Sequence, residues 1–251
     1  MVPVMAPVTD YLAGLRNLPL IAPEALLDGR HLLVIAPHPD DESLGVGGLI
    51  AAAAEGGSPV TVAFLTAGEA SHRGSPTYPA PALAALRRDE ARAAIAALGL
   101  DVSAAVFYGL PDGRIARSPP AQRHGVQDDL AAIIRHRGDT VVCVTAASDP
   151  HRDHRAAFLI ARRLCRRTGA ALLSYPIWTW MQEADDLPEE PAKGWRVDIR
   201  AQRARKSRAI QAHRSQHGGL ITDAAESFAL PEGFLACFDT DDEVLIAHDT
   251  L

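Results

Sequence analysis

Cysteine is scarce in this chain: three in 251 residues, Cys143, Cys165 and Cys237, odd in number and far apart. No CxxC pair exists, which excludes a cysteine-based zinc site and a disulfide framework. The simplest reading is a reduced, cytoplasmic protein. No apolar run is long enough to span a bilayer, so no transmembrane segment is expected. The stretch Met1–Leu20 lacks the basic region and long apolar run of a secretion signal. Positive charge is not in excess, since 25 Lys and Arg face 31 Asp and Glu for a net charge of −6. A nucleic-acid partner, which calls for a basic face, is therefore not expected. Internal repeats, linkers and low-complexity segments are absent as well.

What is present is apolar material for one large domain, with a hydrophobic fraction of 47%. Strand-like and helix-like runs alternate. The strand candidates are Leu32–Ala36, Val60–Leu65, Ala105–Tyr108, Val141–Thr145 and Ala171–Tyr175. The first shows the pattern most clearly, short and continuously apolar like a buried parallel strand. Between them Leu44–Glu55, Leu83–Leu98, Val126–Arg137 and Asp153–Thr168 are alanine- or leucine-rich and helix-prone, with Gly99 as the C-cap of the second. Repeated βα units predict an α/β fold, a Rossmann-like, mostly parallel sheet flanked by helices. Past Tyr175 the pattern loosens: Glu183–Gly194 reads as a loop, Arg200–His213 as a helix, and the end as a short β-rich tail. The expectation is a single domain over residues 1–251, its core at about 31–217.

Two polar clusters interrupt this pattern. His38-Pro39-Asp40-Asp41-Glu42 follows the first strand directly, and Asp149-Pro150-His151-Arg152-Asp153-His154 follows the fourth. The carboxyl ends of strands are where open α/β sheets bind ligands. So much charge at a buried strand end is costly unless something pairs with it, and a divalent metal would. His38 and Asp41 are three residues apart, as are His151 and His154, and such pairs at a first helical turn share a face. Without thiolates, imidazole nitrogen and carboxylate oxygen form the natural zinc set, and a catalytic zinc takes three protein ligands and one water. Capping and dipole matching account for acids at a helix start, but not for histidines at both strand ends. Spacing alone leaves the individual roles open.

At these residues the chain resembles the PIG-L/LmbE-like zinc-dependent N-acetylglucosamine deacetylases. The first motif is His-Pro-Asp-Asp-Glu after a strand, here His38 to Glu42; the second is His-x-Asp-His, here His151 to His154. Supporting segments are Thr66-Ala67-Gly68-Glu69, Arg87-Arg88-Asp89-Glu90, Leu110-Pro111-Asp112-Gly113 and Lys206 to Gln216. Pro37 and Arg152 stand where alanine and proline are commoner. The resemblance implies a zinc site, or an iron(II) site, of His38, Asp41 and His154. It implies Asp40 as general base and His151 as general acid or oxyanion stabiliser. Asp153 or Asp149 would orient a histidine, with Asp153 expected to raise the pKa of His151, and Glu42 would brace the loop. The substrate implied is a small amino sugar or its conjugate, losing an acetyl group. The sequence specifies no oligomeric state.

Other features divide between two readings each. Trp178 and Trp180 form either a flat platform for a sugar ring or part of the core. Arg87 either approaches the substrate or pairs with Glu90 or Asp112. Gly45-Val46-Gly47-Gly48 superficially resembles a phosphate loop, but carboxylates precede it, and close helix-on-sheet packing is the better reading. Arg162-Arg163 and Arg166-Arg167 match a helix dipole. Two rivals to an N-deacetylase remain: an amidase of larger acyl or thiol conjugates, and a metal-free nucleotide-binding module.

Overall fold

A computed structural model describes residues 9–182 and 193–249. Met1–Val8 and all but the last two residues of Glu183–Gly194 lie outside the described residues. In chain order the strands are β1 (Leu20–Ile21), β2 (His31–Ala36), β3 (Val60–Phe64), β4 (Ala105–Phe107), β5 (Thr140–Thr145), β6 (Ala171–Tyr175), β7 (Gly194–Asp198) and β8 (Asp242–His248). They make one sheet ordered β1-β7-β8-β6-β5-β2-β3-β4. Every neighbouring pair is parallel except the two that β8 forms, with β6 and with β7. The sheet therefore draws on strands outside 31–217, at both ends of the chain.

The helices are α1 (Thr9–Arg16), α2 (Pro23–Leu27), α3 (Asp41–Glu55), α4 (Ala80–Ala97), α5 (Pro120–Arg137), α6 (Arg152–Thr168), α7 (Arg203–Ala212) and α8 (Glu232–Ala236). Side chains of a strand alternate between the two faces of a sheet, and both faces are covered here. Leu32, Val34 and Ala36 of β2 enter a core shared with α3, α4 and α7. Leu33 and Ile35 enter a second core shared with α5 and α6. Burial on both sides is why β2 and β5 read as unbroken apolar runs. Gly99 has φ +93 and follows a C-cap at Leu98. The pattern of β7, Gly-Trp-Arg-Val-Asp, is only partly buried and carries no such signal.

α3 bends at Val46, whose φ of −141° and ψ of 23° are not helical. The bend frees backbone donors in mid-helix, and a buried unpaired N–H is costly. Glu243 of β8 takes two of them, accepting from Gly48 N–H at 2.7 Å and Leu49 N–H at 2.8 Å. Lys206 of α7 donates to the same carboxylate at 2.8 Å. The Gly45–Gly48 stretch thus packs a helix against its neighbours and does not open toward a phosphate. A Cβ on Gly48 would stand 2.6 Å from Ile199, and one on Gly45 would overlap the Tyr175 ring.

Candidate metal centre

After β2 the chain passes to β3 and β4 on one side of the sheet, and β5 returns on the other side of β2. The reversal leaves a crevice at the carboxyl ends of β2 and β5, where such sheets bind ligands. His38 follows β2, and His151 is the N-cap of α6 after β5. The two polar clusters therefore meet.

Three groups converge there. His38 Nδ1 lies 3.2 Å from Asp41 Oδ2, His154 Nε2 lies 3.3 Å from Asp41 Oδ1, and the two nitrogens are 3.3 Å apart. Donors ~2.0–2.1 Å from a common tetrahedral centre would stand about 3.3 Å from one another. The outer nitrogen of each ring faces a carboxylate: His38 Nε2 is 3.2 Å from Asp112 and 3.5 Å from Asp153, and His154 Nδ1 is 3.2 Å from Asp149. These carboxylates lie within ion-pair distance of the outer nitrogens without hydrogen-bond geometry; a carboxylate on that side favours a ring whose inner lone pair is free for a cation. The donor set and its spacing fit a divalent metal. His151 brings a third imidazole to this locus, with donor atoms of His38, His151 and His154 all within 4.8 Å of one another.

The electrostatics favour positive charge at this point. Burial pushes His38 and His154 down, but Asp112, Asp153 and Asp41 around the first, and Asp41 and Asp149 around the second, more than reverse it. Burial pushes Asp41 up, and His154 and His38 outweigh it, leaving its carboxyl at about 2. Asp40 behaves differently: burial raises it to about 6, against the pull of Arg87. Burial, His38 and His154 push His151 down to about 4. Its Nδ1 accepts a hydrogen bond from Asp153 N–H at 3.2 Å, so a neutral ring carries its proton on Nε2. Asp153 does pull the pKa of His151 upward, as expected, but together with Asp41 it is outweighed by burial and the two other histidines. Its carboxylate, fully buried, accepts from Gly113 N–H at 2.7 Å and Ile115 N–H at 3.1 Å and faces His38.

Asp40 is held in an unusual backbone conformation, φ 131° and ψ −31°. A ring of buried polar contacts surrounds it. Glu42 Oε2 accepts from Asp40 N–H at 3.0 Å, and Glu42 Oε1 meets His213 Nε2 at 3.0 Å. Two residues on, Ser215 donates its N–H and Oγ–H to Glu90 at 2.7 and 2.6 Å. Glu90 shares α4 with Arg87, which returns to Asp40 at 3.2 Å and also donates to Pro39 O and Gly68 O. Arg87 is thus 3% exposed and paired with Asp40, rather than with Glu90 or Asp112. The segments containing Arg87, Glu90 and His213 stood out in the sequence, but their meeting around one aspartate did not.

A cavity of about 430 Å³ opens onto this floor, with His38, Asp40, Asp41, Arg87, His151 and Trp178 in its lining. Trp178 stacks on Phe234 at 4.2 Å between ring centroids and meets Phe228 edge-on at 6.1 Å. Trp180 is not part of this lining. It borders a second cavity of about 690 Å³, away from the histidines, where Arg16 lies 5.3 Å over its ring. Both tryptophans belong to the 3-10 helix Trp178–Met181. Residues two apart on such a helix point about 120° from each other, so they form no common platform.

Fold and site together define a doubly wound α/β protein with a His/Asp cluster suited to a metal at its switch point. The family described as PIG-L: GlcNAc-PI de-N-acetylase matches residues 33–165, over half the chain. The chain belongs to this family, whose description is that of an N-deacetylase, a hydrolase acting on an amide bond. It is 28% identical over 217 residues to the probable N-acetyl-alpha-D-glucosaminyl L-malate deacetylase 2 of Bacillus subtilis (strain 168), covering 82% of this chain and 92% of that protein. N,N'-diacetylchitobiose deacetylase from Pyrococcus horikoshii shares the fold at TM-score 0.67 and 21% identity, over 96% of this chain and 91% of that one. A deacetylase triple mutant of the teicoplanin biosynthetic pathway matches at TM-score 0.58 and 25% identity, over 74% of this chain and 83% of that one. Among the described residues no helix is long and apolar enough to cross a membrane.

Proposed function

We propose that this protein removes the N-acetyl group from an amino sugar or its conjugate, using a zinc ion held by His38, Asp41 and His154. The observation that carries the reading is the facing of His38 Nδ1 and His154 Nε2 across Asp41, with a carboxylate behind each ring. Two histidines and a carboxylate suit zinc, with iron(II) as the competing ion. The bound metal would supply Lewis acidity and acidify a water molecule. Metal binding would displace only the inner ring protons of His38 and His154, on the nitrogens that face Asp41.

The protein's own groups complete the hydrolysis. Asp40 borders the cavity without facing the inner histidine nitrogens, and it takes the proton of the attacking water. His151 presents its Nε2 proton as a hydrogen-bond donor to the carbonyl oxygen as negative charge develops there. The C–N bond then breaks, the amine nitrogen leaves with a proton returned from Asp40, and the new carboxyl group gives up its own proton to the released amine or solvent to become acetate. Asp112, Asp149 and Asp153 orient the two ligand rings. Arg87 acts as a positioning residue for Asp40. Trp178 offers the sugar a partly exposed aromatic wall, as supported by its place in the cavity lining.

Purified protein should contain near-stoichiometric zinc and release acetate from N-acetylglucosamine conjugates. Asp41→Ala and His154→Ala should lose metal and turnover together while keeping the circular dichroism of the fold. Stoichiometric zinc in either variant would remove it from the ligand set, and release of a larger acid instead of acetate would exclude the deacetylase.

A further inference from the structure

One helix of the molecule shows solvent a charge of a single sign. α6 buries Ala157, Phe158, Ile160, Ala161 and Leu164 in the core it shares with the sheet and α5. Its outer side exposes Arg155, Leu159, Arg162, Arg163, Arg166 and Arg167. The one acidic residue of the helix, Asp153, is fully buried. Arg167 pairs with Asp128 of α5 at 2.7 Å; among the described residues Arg155, Arg162, Arg163 and Arg166 form no ion pair.

Helix energetics do not call for this pattern. The macrodipole favours cations in the last turn, which accounts for Arg166 and Arg167. It gives nothing to Arg162 and Arg163 in mid-helix, and it works against Arg155 in the first turn. Arg162 and Arg166 are four residues apart, as are Arg163 and Arg167, a spacing at which like charges repel. Arg155, Leu159, Arg162 and Arg166 recur at helical spacing, so they form one straight row about 16 Å long. Leu159, 46% exposed, stands within that row.

On a chain of net charge −6, such a row is a local field that attracts anions. A straight row meets a plane along its whole length, and each guanidinium fork matches a phosphate. Leu159, flanked by the apolar stems of the arginines, adds a hydrophobic contact in the middle. Nucleic acid fits this face less well, because α6 exposes no aromatic side chain on which a base could stack. We infer that the outer face of α6 docks the protein onto a bilayer of anionic phospholipids, with Arg155, Arg162, Arg163 and Arg166 on the phosphates and Leu159 between the headgroups. The inference goes beyond the deacetylase reading and does not rest on it, since none of these residues lines the His/Asp cavity.

The test sediments the full-length protein with sucrose-loaded vesicles of two compositions: phosphatidylcholine alone, and phosphatidylcholine mixed equally with phosphatidylglycerol. An arginine near an anionic surface contributes about fivefold to binding. The mixed vesicles should therefore bind the protein about a hundredfold or more tightly than the neutral ones, and the preference should shrink with added salt. Glutamine keeps a helix propensity close to that of arginine. The variant Arg155→Gln/Arg162→Gln/Arg163→Gln/Arg166→Gln should accordingly keep the circular dichroism of the fold while its preference falls toward unity. Lysine at the same four positions should restore most of the preference, and Leu159→Ala should weaken binding to the mixed vesicles severalfold. Equal binding of the parent to both vesicles, or an unchanged preference in the glutamine variant, overturns the inference. Binding of a single-stranded oligonucleotide through the same arginines, with no binding of either vesicle, overturns it as well.

Discussion

At the scale of single residues, Asp40 is the position most tightly specified. A non-glycine residue in such a backbone region costs on the order of 1–3 kcal/mol and persists only where its surroundings hold it. Glu42 grips its N–H and Arg87 its carboxylate. Asp40→Asn keeps the shape and can still accept from Arg87, but it cannot take a proton from water. We expect the variant to retain its metal while kcat falls by ~10²–10⁴, the usual contribution of a general base. Elemental analysis alongside steady-state kinetics would check this, and loss of the metal would make Asp40 a ligand. The motif His38 to Glu42 was legible in the sequence because its residues are contiguous. That Glu42 serves the backbone of Asp40 was foreseen only in kind, since its second partner, His213, lies 171 residues away.

At the scale of elements, α3 is the part under most constraint. It starts at the His/Asp cluster, bends at Val46, and must then lie close to Ile199. Gly48 has no room for a methyl group, so Gly48→Ala should overpack the interface and lower stability by ~1–3 kcal/mol. The shift in urea midpoint measures it, and a neutral result would mean that Ile199 moves aside freely. Lys206 and Glu243, each 3% exposed, brace the second half of the same helix. The glycine stretch and Lys206 were visible as sequence features. The carboxylate that satisfies the bend was not, because Glu243 belongs to a strand near the far end of the chain.

At the scale of the whole molecule, pH dependence reports on the buried sheet. His31 of β2 bridges two neighbouring strands, with Thr140 Oγ1 at 3.2 Å and Thr61 Oγ1 at 3.0 Å. Thr140 already donates to Gly138 O, so its oxygen accepts from His31 Nδ1–H and His31 Nε2 accepts from Thr61. This arrangement needs a neutral ring. Burial first, and Arg137 second, lower its pKa from 6.5 to about 4. Between those values the unfolded chain binds a proton that the folded one refuses, so stability falls as the pH drops from 6.5 toward 4. His31→Gln should show a shallower fall of denaturation midpoint over that window. Equal slopes in parent and variant would mean that His31 does not contribute.

The sequence by itself determined what depends on near neighbours. Unbroken apolar runs marked β2 and β5, because strands covered on both faces need no polar side. The two motifs at their ends announced a His and carboxylate site before any coordinates, because each motif lies within six consecutive residues. Tertiary structure alone decided the rest. The insertion of β8 antiparallel between β6 and β7 follows from where the chain returns, not from its local pattern. The separation of Trp178 from Trp180 follows from a 3-10 turn that a platform would not permit. Asp153 chose His38 and the Gly113–Ile115 turn over its neighbour His151 because a buried carboxylate goes where donors converge, and those donors come from 38 and 40 residues earlier in the chain.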